Sequence, residues 1–464
     1  MRPALTLLLA TAGVLAGCAS VPADDAIGVA RDQSLRVDGI APVLATTDAA
    51  HDERRALRSR LLAAPLDEAA AVRLALEASP AMQALLADAW QAQATAVQAA
   101  AAPNPFFAFE RIVTGGEVDL THTLGIGLTE LLTLPARRDA AQRTVQRRQW
   151  QLARDVLAHT AAVRQQWVRA VAAQQLVAYH RQVRDAAEAS AELARRMQAV
   201  GNFSRLQRAR EQAFLADATA QLARALAAST AEREALVRLL GLDADEAERL
   251  VLPERLADVP AAPRTADEVS RRAVEDRLDL RVARLELAAA ERAAPLGAVA
   301  PWHVELAAVR QTGGGDTGRG FEIQLPLPVF DTGRARREAA SAQVLAARAR
   351  FEQARSEATS VLRERYVAYR TAHDLARHYR DEVVPLARTV TDDMLLKYNG
   401  MLVGVFELLA DARAQVHAVI GAIEAQRDFW LAHTALDAAI VGAPAAGAAP
   451  AAPQAAKAAA KGDH

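Results

Sequence analysis

Residues 136–199 contain neither proline nor glycine, a run of helix-compatible sequence longer than any compact globular domain needs. At 1.5 Å per residue such a helix would be roughly 95 Å long. Its apolar positions Val145, Leu152, Val156, Val163, Trp167 and Val171 recur at steps of four and seven residues. A stripe that narrow suits coiled-coil-like packing against neighbouring helices. Residues 334–398 repeat the pattern with Leu362, Tyr366, Tyr369, Ala376, Tyr379, Val383, Leu386, Val390 and Met394. Pro385 interrupts this second run and is expected to bend the helix near residues 381–384. An extended object is implied.

Composition points the same way. Hydrophobic residues are 52% of the chain but aromatic ones only 4%, and much of the difference is alanine, the best helix former. The 55 basic residues against 56 acidic ones leave no basic patch for nucleic acid and no acidic tail, so a nucleic-acid partner is not expected.

The chain repeats itself. Ala75-Leu76-Glu77-Ala78 returns as Ala273-Val274-Glu275-Asp276 at an offset of 198, and Arg137-Arg138-Asp139-Ala140 as Arg336-Arg337-Glu338-Ala339 at 199. Gly201, between two long helical patterns, returns as Gly400. Shared composition would not align such punctuation, so two tandem repeats are read over residues 65–250 and 266–441. Each runs helix, two β-like segments, a very long helix, a short glycine turn and a shorter helix. The first helices are expected at about 67–102 and 266–295 and the long ones at about 136–199 and 334–398. Residues 251–265, with three prolines, read as the linker, and residues 442–464 as a disordered Ala/Pro-rich tail.

The β-like segments alternate. Leu120, His122, Leu124, Ile126 and Leu128 interleave with Thr121, Thr123, Gly125, Gly127 and Thr129; Phe321, Ile323, Leu325 and Leu327 interleave with Glu322, Gln324 and Pro326. Residues 106–113 and 302–309 supply the other two, with Gly115-Gly116 and Gly313-Gly314-Gly315 between partners. Their lengths approach the 9–11 residues of a tilted transmembrane strand, and one apolar and one polar face is what a wall between lipid and water requires. A small soluble sheet would show the same alternation. Four strands cannot close, and an open edge in lipid leaves backbone groups unsatisfied. Three symmetric copies would give a closed barrel of about twelve strands around a lumen.

The chain start reads as a secretory leader over residues 1–17: Arg2, an apolar run too short to span a bilayer, then Leu15-Ala16-Gly17 before the one cysteine, Cys18. These residues resemble a lipobox, which implies that Cys18 is acylated and heads a lipidated periplasmic segment, residues 18–64. Ala19 after it, rather than aspartate, implies transfer to the outer membrane. No segment is long and apolar enough for a transmembrane helix.

With these features in order, the chain resembles the TolC-like outer-membrane efflux family over about residues 65–441. The resemblance rests on the repeat, the hairpin turns, residues Leu325-Pro326-Leu327-Pro328-Val329-Phe330-Asp331-Thr332-Gly333-Arg334, and Tyr398-Asn399-Gly400 followed by Glu407-Leu408-Leu409. Pro103-Asn104-Pro105 and Glu130 to Arg138 are similar, less specifically, to its heavy-metal cation branch. It implies a mainly α fold with a small β portion: a homotrimer whose 12-stranded outer-membrane β-barrel continues as a periplasmic α-helical barrel. It implies the passive channel of a tripartite efflux system, working with a periplasmic adaptor (membrane fusion) protein and an inner-membrane pump of RND or ABC type. The adaptor-contact tips would be Val200, Gly201, Asn202 and Phe203 with Ser204, and Gly400, Met401, Leu402, Val403 and Gly404. The second tip's glycine comes one residue earlier than the family's usual spacing, and Gly404 is an addition to it. Glu407 matches an acidic position that narrows the family's closed pore; the next one is Ala410 here, with Asp411 beside it. A solvated helix-face charge is the alternative reading of Glu407.

Other chemistry is missing from the sequence. His373 and His378 are badly spaced for one helix face, Gly313-Gly314-Gly315 is followed by no lysine of a phosphate loop, and no serine-nucleophile motif occurs. No enzyme, metal site or cofactor is expected. Two rival functions share parts of the pattern. One is a type I secretion conduit for protein substrates, and the other a non-channel periplasmic coiled-coil lipoprotein scaffold.

Overall fold

The computed structural model describes residues 21–296, 302–313, 316–327 and 329–444. Cys18 with its leader, the Gly314-Gly315 turn, Pro328 and residues 445–464 lie outside the described residues. The chain is mainly helical with one small antiparallel sheet. It divides into two compact units. One is built on Leu85–Leu152 and Leu280–Ala354, the other on Gln33–Ala84, Ala153–Asp279 and the chain from Arg355.

The first unit carries the sheet. Strands β1 (Phe106–Thr114), β2 (Glu117–Gly127), β3 (Glu305–Gly313) and β4 (Asp316–Gln324) lie in the order β1-β2-β3-β4, all antiparallel. The strands are displaced from the sequence reading. Leu128 belongs to the following helix, Trp302 precedes β3, and Leu325 to Leu327 follow β4. Glycine is the reason, because Gly313, Gly318 and Gly320 serve as strand residues here and extend β3 and β4 toward the turn.

The long helix of the first repeat starts at Leu128, earlier than expected, and runs to Ala199 with Pro135 inside it. Proline cannot donate to the carbonyl four residues back. Arg137 reinforces this opening stretch by donating to the Glu130 carbonyl at 3.1 Å and to those of Ala99 and Ala101 at 2.9 and 3.2 Å. The repeated Arg-Arg pair is thus a carbonyl clamp in its first copy, and in its second Arg337 donates to the Thr332 carbonyl at 3.2 Å. Arg281 stacks on Trp150 at 3.7 Å and Arg350 pairs with Glu286 at 2.8 Å in the same unit.

The remaining helices take their labels in chain order. They are α1 (Ala23–Asp38), α2 (Asp48–Leu61), α3 (Glu68–Arg73), α4 (Pro80–Ala99), α5 (Leu128–Ala199), α6 (Arg205–Leu240), α7 (Ala244–Arg249), α8 (Ala266–Asp276), α9 (Leu278–Ala293), α10 (Arg334–His378), α11 (Val384–Asn399) and α12 (Val405–Val441). The expected first helix of each repeat is broken. A π-helical turn Leu74–Ala78 precedes α4, and Arg277 in extended conformation separates α8 from α9.

Two buried clusters of the second unit flank the proline-rich segment. Leu66, Leu74, Trp167, Val171, Leu236 and Leu240 form one, and the Trp167 indole donates to the Leu66 carbonyl at 2.8 Å. Tyr369, Phe429, Leu436 and Ile440 form the other. The proline-rich residues 251–265 do not hang free between repeats. Leu252 and Leu256 enter the first cluster and Val259 the second. Carbonyls along this strap accept from Trp430 (Ala257, 2.9 Å), Gln426 (Ala257, 2.7 Å) and Arg380 (Val259, 3.3 Å). Prolines keep the segment extended, and side chains satisfy what a helix or sheet would have satisfied.

A second π-helical turn, Tyr379–Val383, separates α10 from α11. Pro385 follows in the first turn of α11, so the register change falls where the proline leaves a carbonyl without its donor. Across from this turn α12 carries Gly421. A Cβ there would lie 2.6 Å from Cε1 of Tyr379, so the ring rests on bare helix backbone.

Candidate functional site

The sheet separates its residues by chemistry. Directly opposed residues in antiparallel strands share a face. The register therefore puts Phe107, Leu124, Ala308 and Phe321 in one row, and Ile126, Leu306 and Ile323 in the row before it. Phe107 is 65% exposed and Phe321 77%, far above what a soluble sheet tolerates on contiguous aromatics. The opposite face holds Glu110, Glu117, Asp119, Glu305, Asp316 and Glu322, with glycines, threonines, glutamines and alanines and the apolar Phe106, Ile112 and Val309 between them. Phe106, Thr123, Glu305, Ala307 and Glu322 line a shallow cavity on this face, and we call it the concave face and its opposite the convex one. All the acids of the sheet are on the concave side. Neither β1 nor β4 has a second neighbour among the described residues.

The two hairpin tips belong to the second unit and have the same backbone construction. In the first, Asn202 N donates to Met197 O at 2.9 Å and Gly201 N to Gln198 O at 3.0 Å. In the second, Leu402 N donates to Lys397 O at 2.9 Å and Met401 N to Tyr398 O at 2.9 Å. This is the double bond pattern of a helix closed by a left-handed residue. Gly201 occupies the left-handed position with φ +82°, but its structural counterpart is Met401 at φ +59°, not Gly400, whose φ is −79°. The tips therefore align one residue later than the glycines do. Ser204 caps α6 through a reciprocal capping box with Gln207, whereas Gly404 at the same position of α12 has no side chain to offer. Val200 is 70% exposed, Met401 93% and Leu402 78%, while Phe203 turns inward and Val403 is half-buried.

Glu407 is exposed one turn into α12, and Asp411 is half-buried in a cleft with His378, Glu382 and Leu386. Neither side chain makes a hydrogen bond or ion pair among the described residues, while the Glu407 backbone N–H donates to the Gly404 carbonyl at 3.2 Å. Sequence reading missed the group just beyond them. Arg413 donates to both carboxylate oxygens of Glu211 at 2.7 and 2.9 Å and lies over the Phe214 ring at 4.3 Å; Ser190 donates to the same carboxylate at 2.8 Å. Glu211 is only 2% exposed, so α5, α6 and α12 meet on one buried charge. A glutamate on an expected helix carries no marker of this kind.

No protein-family model matches the sequence, and no curated protein matches it either. Solved structures do. A membrane protein from Pseudomonas aeruginosa is similar at 21% identity and TM-score 0.66, covering 80% of this chain and 92% of that one. The outer membrane protein VceC of Vibrio cholerae is similar at 16% and 0.66, covering 80% and 95%. The MtrE outer membrane channel of Neisseria gonorrhoeae, solved in its open state, is similar at 18% and 0.64, covering 81% and 89%. The chain has the fold of TolC-like outer-membrane channels. These neighbours are membrane proteins, two of them named as outer membrane channels. Among the described residues no cluster of three or more His, Cys, Asp or Glu could hold a metal ion.

Proposed function

We propose that this chain is the outer-membrane channel component of a tripartite efflux system and a member of the TolC-like efflux family. The observation that carries the proposal is the sheet. A largely apolar convex face, a concave face that holds all the acids of the sheet and two open edges support a segment of a wall between lipid and water that other copies complete. Three copies complete the barrel, and the acids line a lumen that favours cations. Within one chain α11 has no buried residue and exposes Leu386, Leu395 and Leu396, a face for a neighbouring copy to cover. The tips Val200–Ser204 and Gly400–Gly404 meet the periplasmic adaptor, and an inner-membrane pump of RND or ABC type delivers substrate. Acylated Cys18 adds a lipid anchor, Glu407 and Asp411 sit at the constriction, and Pro385 sets the bend of the second hairpin. No step of this needs a cofactor. A periplasmic scaffold would have no use for such a sheet.

Mass measurement of the detergent-solubilised protein should give three copies per particle, and planar bilayers should show cation-preferring conductance. Lysine in place of Glu407 should reduce that preference, and Cys18→Ser should abolish acyl labelling. A monodisperse monomer with full β-content, or a protein that never conducts, would overturn the reading.

A further inference from the structure

The convex face of the sheet carries charge of a single sign. Arg310 of β3 and Arg319 of β4 are direct cross-strand partners, His122 of β2 stands opposite Arg310, and Arg111 lies one row nearer the turns. No carboxylate shares this face, because every acid of the sheet lies on the other one. Like charges directly opposed across strands repel each other. Arg310 and Arg319 are exposed and have no hydrogen bond or ion pair among the described residues. His122 stacks on Phe109 at 5.2 Å and Phe107 at 6.2 Å, and its Nδ1 is buried without a partner. The apolar rows of Phe107, Leu124, Phe321, Ile126 and Ile323 lie on the side away from the turns. Arginine on a lipid-facing strand is tolerated at the headgroup level and not at the bilayer midplane.

We infer that the Arg310–Arg319 pair, with Arg111, is a binding site for the phosphates of anionic lipid headgroups in the leaflet nearest the hairpin turns. The guanidinium fork matches a phosphate in two-point fashion, and one phosphate between two opposed arginines removes their repulsion. The aromatic and aliphatic rows below supply the surface for the acyl chains of the same molecule. Charge complementarity and apolar continuity in one strip select a lipid over a soluble phosphate. The inference rests on the channel reading above, in which the convex face meets lipid.

The test uses full-length protein in detergent, with a diphosphorylated glycolipid (lipid A) as probe and phosphatidylcholine and inorganic phosphate as comparators. Native mass spectrometry should show the glycolipid retained in preference to phosphatidylcholine, without displacement by inorganic phosphate. In the Arg310→Gln/Arg319→Gln double variant retention should fall about tenfold or more. The concave-face variant Glu110→Gln/Glu322→Gln should keep it. Equal retention by wild type and the arginine variant, or equal loss in both variants, overturns the inference. Planar-bilayer recording separates the two readings. A conducting arginine variant with unchanged retention sinks the lipid site alone, and a wild type that never inserts sinks both.

Discussion

The two hairpin tips trace nearly the same backbone with different residues, and the substitutions all run one way. The first tip has glycine where the chain turns left-handed, a serine capping box and Phe203 tucked inward. The second has methionine in the left-handed position, an uncapped Gly404 and an exposed Met401-Leu402 pair. Behind the tips the contrast continues. Val183, Ala187 and Ala218 pack α5 onto α6, whereas α11 buries nothing and begins at a π-helical turn. One hairpin is locally self-consistent, and the other holds its shape against local preference.

The largest test of that contrast is the link between them. Replacing Arg413 with alanine strands the buried Glu211 carboxylate, which should cost about 3 kcal/mol or more in chemical denaturation. Adding Glu211→Gln should recover a good part. If Arg413→Ala unfolds at the wild-type denaturant concentration, α12 is not held to the first hairpin through this charge.

Exchanging the left-handed residues comes next. Gly201→Met should lower stability by about 1–2 kcal/mol, and Met401→Gly should raise it by up to about 1 kcal/mol, since L-residues resist that conformation. Melting curves shifting the same way for both would mean that the side chains, not the backbone, decide the tips. The caps should differ less. Ser204→Ala is expected to cost about 1 kcal/mol and Gly404→Ser to gain only a few tenths. Helix content at the tips, followed by residue-resolved NMR, checks both.

Two half-buried histidines give the smallest difference. Burial holds His159 of α5 below the ordinary histidine range, with its Nε2 unpartnered. Burial also lowers His433 of α12, but Asp437 at 3.4 Å opposes the shift. A lowered histidine is neutral when folded and takes a proton when unfolded, so stability is held above pH 6.5 and lost as pH falls below it. Melting temperature should therefore drop between pH 7.5 and 5.5, and His159→Gln should flatten that slope more than His433→Gln does. An unchanged slope in His159→Gln would assign the acid sensitivity elsewhere.

Much of this was legible in the sequence because it rests on period and punctuation. The uninterrupted run before Gly201 gave α5, and the alternation around Leu124 and Phe321 gave the sheet. Boundaries failed where a residue acted against its usual meaning. Glycines 313, 318 and 320 sit inside strands, and Pro135 sits inside a helix that Arg137 clamps. The match of Gly201 to Gly400 also failed, since conformation passed to Met401 while the glycine stayed behind. The Glu211–Arg413 pair lies 202 residues apart in sequence, and no local pattern connects such partners.

The glycine beneath Tyr379 has one more consequence. Glycine within a helix weakens it by about 1 kcal/mol relative to alanine, because the unfolded backbone it must give up is freer. Gly421 puts that weakness beside the turn where the facing helix already has its looser hydrogen-bond ladder. Opening free energies along α12 should then be lowest at this level and rise toward Phe429 and Leu436, so protection of amides from solvent exchange would be graded along one continuous helix. A helix graded in this way fluctuates as two segments about a fixed height, while its buried end stays as slow to exchange as the fold itself.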